Sequence, residues 1–265
     1  RTKIFWNEII DFADVIIHLA GDTSLYEAEK DSKNNYENNV KPIKLLLDQL
    51  KLKKNKKIKI IFTSSITVLG IPIQNYVDEN TKTNPITVYD KNKLNIEKLL
   101  FQASQNQNIE VVILRLSNVF GFGSAKSNNL NRGFINKVME SAINGKDINV
   151  YSNGEFFRDY IYIDDVINII IFFLNYSNKY FNLFNIATGK SYLLIDAIKI
   201  IIEESFKLKK LSSKINYIPL PQNILKIETR NYKILSEKLQ NIYSDNLITF
   251  REGVKKSLTR ISKII

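Results

Sequence analysis

Residues 59–65 read KIIFTSS, residues 88–93 read VYDKNK and residues 111–117 read VVILRLS. The outer two are short apolar runs, rich in β-branched residues and bounded by polar ones, which is the pattern of a buried strand. Between them, Lys91–Ser104 places apolar residues at helical spacing. A strand, a crossover helix and a second strand make a parallel βαβ unit, whose strands read as continuous apolar runs because both faces are covered. The alternation continues outward, with DVIIHLA (14–20) before the unit, LFNIA (183–187) after it, and helical spacing at Val40–Leu50 and Asp164–Leu174. This order predicts an α/β fold with a doubly wound parallel sheet.

After Asn118 the texture changes. A Gly-containing loop, FGFGSAK (120–126), leads to a helix pattern at Phe134–Asn144, a short strand INVYS (148–152), a later helix at Tyr192–Phe206 and a polar tail. These separated segments predict a smaller C-terminal substrate-binding lobe over the carboxyl ends of the strands. The expected division is 1–120 plus 160–190 for the sheet domain and 121–159 plus 191–265 for the lobe. No internal repeat is found.

Composition excludes several chemistries. The chain has no cysteine, so disulfides, thiolate nucleophiles and zinc-thiolate sites are ruled out, and its one histidine, His18, cannot form a His cage or a Ser/His/Asp triad. No metal site is expected, and His18 reads as a packed strand residue. The net charge of +11 comes from 31 Lys and only 7 Arg. Nucleic-acid readers favour arginine forks, so no nucleic-acid partner is expected, and the run Lys51–Lys59 reads as a solvated connection. A steep salt slope without sequence preference in an oligonucleotide titration would mark nonspecific charge alone. The longest apolar run, Val166–Leu174, is too short for a bilayer, and the first residues lack a secretory pattern. No membrane partner and a cytoplasmic location are expected.

The sharpest chemical constellation is Ser65, Tyr89 and Lys93. Residues four apart on a helix share a face, so the Lys93 ammonium can stand beside the Tyr89 phenol and favour the phenolate, making Tyr89 a general base. Ser65 ends a predicted parallel strand, where such folds bind ligands, and its hydroxyl can orient the same substrate oxygen. The Tyr-x-x-x-Lys spacing alone is weak, since Tyr26 and Lys30 repeat it. Only the Tyr89 pair follows a strand-ending serine, so Tyr26 and Lys30 read as a surface pair.

On these residues the chain resembles the extended short-chain dehydrogenase/reductases, the NAD-dependent epimerase/dehydratase family. HLAG (18–21), Asn39 in NNV, TSSITVLG (63–70), VYDKNK, RLSNVFGFG (115–123), GEFFRDYIYIDDV (154–166) and NIATGKSY (185–192) are similar, in order, to the family's segments. The resemblance implies a Rossmann-like sheet with Ser65, Tyr89 and Lys93 catalytic. It implies NAD, with NADP not excluded, contacted by Leu19, Ala20, Gly21, Asn39, Thr63 and Ser117 as well as Tyr89 and Lys93. It further implies a nucleotide-diphosphate sugar held by Asn118 and Arg158, with Arg230 a weaker candidate, and a possible homodimer. Leu69 departs from the pattern, since many members carry Tyr there.

The implied activity is epimerisation of the sugar. A 4,6-dehydratase is disfavoured because Ile66 and Thr67 stand where an acidic pair would follow the catalytic Ser or Thr. A reductase of the same family is the alternative, and a non-catalytic Rossmann-like binding module is the alternative from another class, opposed by the intact trio. The Gly-rich turn that opens the family's fold is absent from these residues. Its first strands are therefore expected before Arg1, in about 50 to 65 further residues, and the chain as written is expected to bind NAD poorly and to be inactive.

Overall fold

The computed structural model describes residues 3–53, 55–122, 133–177 and 180–263. In chain order the first half contains α1 (Lys3–Phe12), β1 (Val15–His18), α2 (Leu25–Lys30), α3 (Ser32–Leu52), β2 (Ile58–Ser65), β3 (Tyr76–Val77), α4 (Val88–Ala103), β4 (Ile109–Leu116) and β5 (Asn118–Phe120). There follow α5 (Phe134–Ile143), β6 (Ile148–Tyr151), β7 (Phe157–Tyr162), α6 (Ile163–Asn175), β8 (Phe181–Ile186), β9 (Ser191–Leu193) and α7 (Leu194–Lys209). The tail holds β10 (Ile215–Ile218), β11 (Lys233–Ile234), α8 (Glu237–Gln240) and α9 (Phe250–Ile261), with single 3₁₀ turns at Ile66–Leu69 and Lys226–Thr229.

The four apolar runs become one parallel sheet in the order β1-β2-β4-β8. The side chains of the two central strands, β2 and β4, are buried on both faces. On one face Ile60, Phe62, Val111 and Ile113 pack with α1, α3 and α4; on the other Ile61, Val112 and Leu114 pack with α6. The expected crossover helices are all present, and the chain is α/β and doubly wound. Strand β1 pairs with β2 alone among the described residues, and Ile17 and Leu19 beside its free edge are exposed. His18 is buried and stacks on Phe62, as a packed strand residue would.

A second core joins α5, α7 and α9 with β6 and β7 around Phe120, Met139, Tyr160 and Phe250. The tail is more ordered than its polar composition predicts. A capping box between Thr249 and Glu252 starts α9, and Leu239 and Tyr243 return to pack on the central sheet. Tyr232 and Ile234 close over the Ile66–Leu69 turn, where Leu69 is fully buried in an apolar cluster. Gly123–Lys126 of the loop lie outside the described residues.

The reading of Lys51–Lys59 as solvated needs correction at its end. Lys59 lies in β2 and is buried, donating to the Tyr176 carbonyl and pairing with Glu110 at 3.0 Å. Its aliphatic stem fits the sheet while its head finds an acceptor and a countercharge. Among the described residues no helix is long and apolar enough to cross a membrane.

Helix α4 docks through polar groups as well as apolar ones. Asp90, Lys93 and Glu97 share one face and are all buried. Glu97 accepts from Arg115 Nη2 at 2.7 Å and Nε at 3.0 Å, and from the Ser64 hydroxyl at 2.5 Å. Removing one partner of a buried pair leaves the other charge uncompensated, whereas an apolar replacement of both avoids that penalty. Glu97→Ala is therefore expected to cost about 3–5 kcal/mol in urea unfolding, and the Glu97→Leu/Arg115→Met double variant clearly less. A double variant no more stable than Glu97→Ala would contradict this account of the pair.

Candidate active site

Ser65, Ser117 and Leu19–Gly21 stand at or just past the carboxyl ends of β2, β4 and β1, with Tyr89 and Lys93 on α4, Asn39 on α3 and Arg158 on β7. Ser65 is the last residue of β2 and caps the following 3₁₀ turn, its hydroxyl accepting from the Thr67 N–H at 3.3 Å. Tyr89 lies in the first turn of α4, whose start is fixed by a capping box in which Thr87 and Asp90 exchange hydrogen bonds. One turn later, Lys93 Nζ donates to the Thr63 carbonyl at 2.8 Å and lies 4.7 Å from the Phe62 ring centroid.

The electrostatics depart from the expected tyrosine–lysine pair. Lys93 Nζ stands 5.7 Å from the Tyr89 ring centroid and is directed to the strand carbonyl. Burial, and then the Asp90 charge, push the Tyr89 phenol well above its usual value, the reverse of the expected lowering. Burial lowers the Lys93 ammonium to about 8, opposed by Glu97. In this substrate-free arrangement Tyr89 is a phenol.

A cleft of about 670 Å³, within the usual size for small-molecule sites, lies between the sheet ends and the lobe. Asn118, Arg158, Tyr160 and Arg230 line it. Arg158 is buried and donates to the carbonyls of Phe157, Arg230 and Glu228 at 2.6–2.7 Å. Its guanidinium is pulled below the ordinary value by burial first and then by Arg230, yet an arginine this far above neutrality stays protonated. Arg230, rated weakly from sequence, reaches Asn118 Oδ1 at 3.0 Å. The 72 residues separating it from Arg158 conceal a pairing that the fold makes direct. Asn118 in turn donates to the Asp159 carbonyl at 2.8 Å. Buried Asp159 also accepts from Ser117 Oγ at 3.0 Å and from Thr188, so it ties the ends of β4 and β8 to β7.

The surface reading holds for Lys30, which pairs with Glu27 at 2.7 Å. Tyr26, though exposed, stands at the cleft rim. On the other side of β2, Leu19, Ala20 and Gly21 follow β1, and Thr63 is buried with its hydroxyl on the His18 carbonyl at 3.4 Å. Asn39 in α3 donates to the carbonyls of Asp22 and Asn35 at 3.2 and 3.0 Å, while its buried Oδ1 has no partner. A Cβ on Gly21 would lie 2.2 Å from that oxygen. The Asn39 amide thus fills the space over Gly21, and Gly21 and Asp22 line the adjoining cavities beside α3.

A profile of the NAD dependent epimerase/dehydratase family matches residues 3–187. Among curated proteins, a UDP-glucose 4-epimerase of Lactobacillus helveticus is 28% identical over 213 residues, 75% of this chain and 62% of that enzyme. An ADP-L-glycero-D-manno-heptose-6-epimerase of Brachyspira hyodysenteriae is 27% identical over 92% of this chain and 74% of its own length. The fold is similar to that of a Thermotoga maritima UDP-glucose 4-epimerase solved with UDP-glucose, with a TM-score of 0.84 at 20% identity over 98% of this chain and 82% of that one. It is similar too to a Bacillus cereus UDP-glucuronic acid 4-epimerase solved with UDP-glucuronic acid and NAD, with a TM-score of 0.81 at 21% identity over 100% and 81%.

The contact between Gly21 and Asn39 generates a stability prediction. Gly21→Ala is expected to cost about 1–3 kcal/mol by overpacking, and Asn39→Gly in the same chain should recover part of that loss. Thermal unfolding of the four chains checks it, and strictly additive effects would show that the two residues do not press on each other.

Proposed function

The chain belongs to the NAD dependent epimerase/dehydratase family, and on that footing we propose that it epimerises a nucleotide-diphosphate sugar through Ser65, Tyr89 and Lys93 with NAD as cofactor. The observation that carries the reading is that Ser65 and the Tyr89–Lys93 turn of α4 are tied together at the end of β2 through Thr67, Asp90 and the Thr63 carbonyl, while two buried arginines, Arg158 and Arg230, line a separate cleft with Asn118 at the end of β4. Bound NAD supplies a hydride acceptor and donor. Leu19, Ala20, Gly21, Asn39, Thr63, Ser117 and Lys93 would hold it, Gly21 lining open space beside α3.

The chain's own residues divide the remaining work. Tyr89 exchanges a proton with the reacting sugar oxygen and Ser65 orients that oxygen. With its phenol held protonated by burial, Tyr89 is ready to give a proton to a ketone oxygen. Taking one from an alcohol requires the Lys93 ammonium to turn from the Thr63 carbonyl toward the phenol, and two of its three protons are free of that bond. Arg158 has three of its five N–H groups on carbonyls, leaving two for a diphosphate. With Arg230 and Asn118 it makes a positive floor for that dianion. The side chains directly after Ser65 are Ile66 and Thr67, which favours epimerisation over dehydration. The cleft divides 1–120 plus 160–190 from 121–159 plus 191–265 in this reading. A homodimer and a cytoplasmic location belong to the same proposal.

In the full-length natural protein, assayed on UDP-glucose, UDP-N-acetylglucosamine and UDP-glucuronic acid, Tyr89→Phe is expected to lower kcat by about 10²-fold or more with KM changed only a few fold. Tyr26→Phe should leave kcat within about twofold, the phenol at the rim being solvated. Equal kcat for Tyr89→Phe and the parent would remove Tyr89 from the mechanism. By calorimetry, Arg158→Ala and Arg230→Ala should each weaken UDP binding by about 1.5–3 kcal/mol, the range for hydrogen bonds to charged groups. Parent-like affinity in both would place the diphosphate elsewhere.

A further inference from the structure

Behind Ser65 stands a buried carboxylate that the proposed chemistry does not use. Asp90 is fully buried, one residue beyond Tyr89 on α4. Its Oδ1 lies 2.5 Å from the Thr67 hydroxyl, and that hydroxyl lies 2.7 Å from Ser65 Oγ. Resting on the reading that Ser65 faces the reacting sugar oxygen, the geometry points to Asp90 and Thr67 as positioning residues that fix the direction in which the Ser65 hydroxyl points.

The direction follows from counting protons. A carboxylate only accepts, and a hydroxyl has one proton to give. The Thr87 N–H donates to Asp90 Oδ2 at 3.3 Å, and the 2.5 Å contact at Oδ1 has the length of a charge-assisted O–H···O⁻ bond. The Thr67 proton therefore goes to Asp90. In the 2.7 Å contact Ser65 must then be the donor and Thr67 the acceptor. The Ser65 oxygen also accepts from the Thr67 N–H, which leaves one lone pair for the substrate. Ser65 so held accepts a hydrogen bond from a sugar hydroxyl, and it gives one to the ketone oxygen when its proton turns from Thr67 Oγ1 toward the substrate.

Burial, the largest influence, holds the Asp90 acid above its ordinary value against the bonds from Thr67 and Thr87 and the charge of Arg230, and the proton count applies to its ionised form; Tyr89 and Tyr232 are the other titratable groups that face it. Capping of α4 does not account for the arrangement. The capping box joins Asp90 to Thr87 and stands complete without the Thr67 hydroxyl.

The test measures kcat and KM of full-length protein in two backgrounds, Ser65 and Ser65→Ala, on whichever of the three UDP-sugars above turns over. With Ser65 present, Thr67→Val is expected to lower kcat about tenfold, with KM within about threefold, and Thr67→Ser should restore kcat to within about threefold. In the Ser65→Ala background Thr67→Val should change kcat by less than about twofold, since the residue it orients is gone. An equal loss in both backgrounds, or no loss with Ser65 present, would overturn the inference and leave the proposed function standing. Parent-like kcat in Ser65→Ala itself would overturn the role of Ser65 and the inference with it. Should Thr67→Val fail to fold, Thr67→Ala, which removes the same hydroxyl, is read in the same two backgrounds with the same expectation.

Discussion

Helix α4 buries three acidic or basic side chains, Asp90, Lys93 and Glu97, on the face it turns to strand β2. Such groups are rarely inside unless each finds a partner. Here every one does, at or just beyond the carboxyl half of that strand: Asp90 on Thr67, Lys93 on the Thr63 carbonyl and Glu97 on Ser64, with Arg115 of the neighbouring β4 as the countercharge of Glu97. A one-turn slip of the helix would leave charges unpaired in the interior. The polar face thus fixes the helix against the strand more narrowly than apolar packing could, because a hydrogen bond loses strength within a fraction of an ångström and dispersion contacts do not. Tyr89 and Ser65 inherit their relative position from that register.

The same end of the sheet gathers the remaining parts. Asp159 binds Ser117 and Thr188, so the ends of β4 and β8 are held to β7, and β7 carries Arg158. Arg158 holds the carbonyls of Glu228 and Arg230, and Arg230 reaches back to Asn118. Two guanidinium groups are brought into one cleft largely against carbonyl dipoles, and a dianionic ligand would relieve their mutual repulsion.

Much of this could be read in the residues. The central strands β2 and β4 carry apolar β-branched runs because both sheet faces are covered, and that is the pattern least open to another reading. Ser65, Tyr89 and Lys93 follow from a strand end and a helical spacing. The burial of Asp90 was hidden because Asp three residues after Thr87 is fully explained as a helix cap, and a cap needs no burial. Arg230 was hidden by its distance along the chain. Lys59 was hidden in a run of lysines that are otherwise solvated. The Thr249–Glu252 capping box was present in the tail and would have announced α9. The direction of the Tyr89 shift could not be read at all, since it turns on whether the Lys93 ammonium points at a phenol or at a carbonyl.

The central claim is that the sugar carbon gives up a hydride and takes the same hydride back inside this site. It is tested most directly by giving the full-length protein, with NAD, UDP-glucose carrying deuterium at the sugar C4, alongside UDP-N-acetylglucosamine and UDP-glucuronic acid labelled in the same way. The account predicts that at least one is converted to its C4 epimer with the label retained at C4 and no hydrogen taken there from solvent. Epimer formed with the label washed out, or no conversion of any of the three, would contradict it.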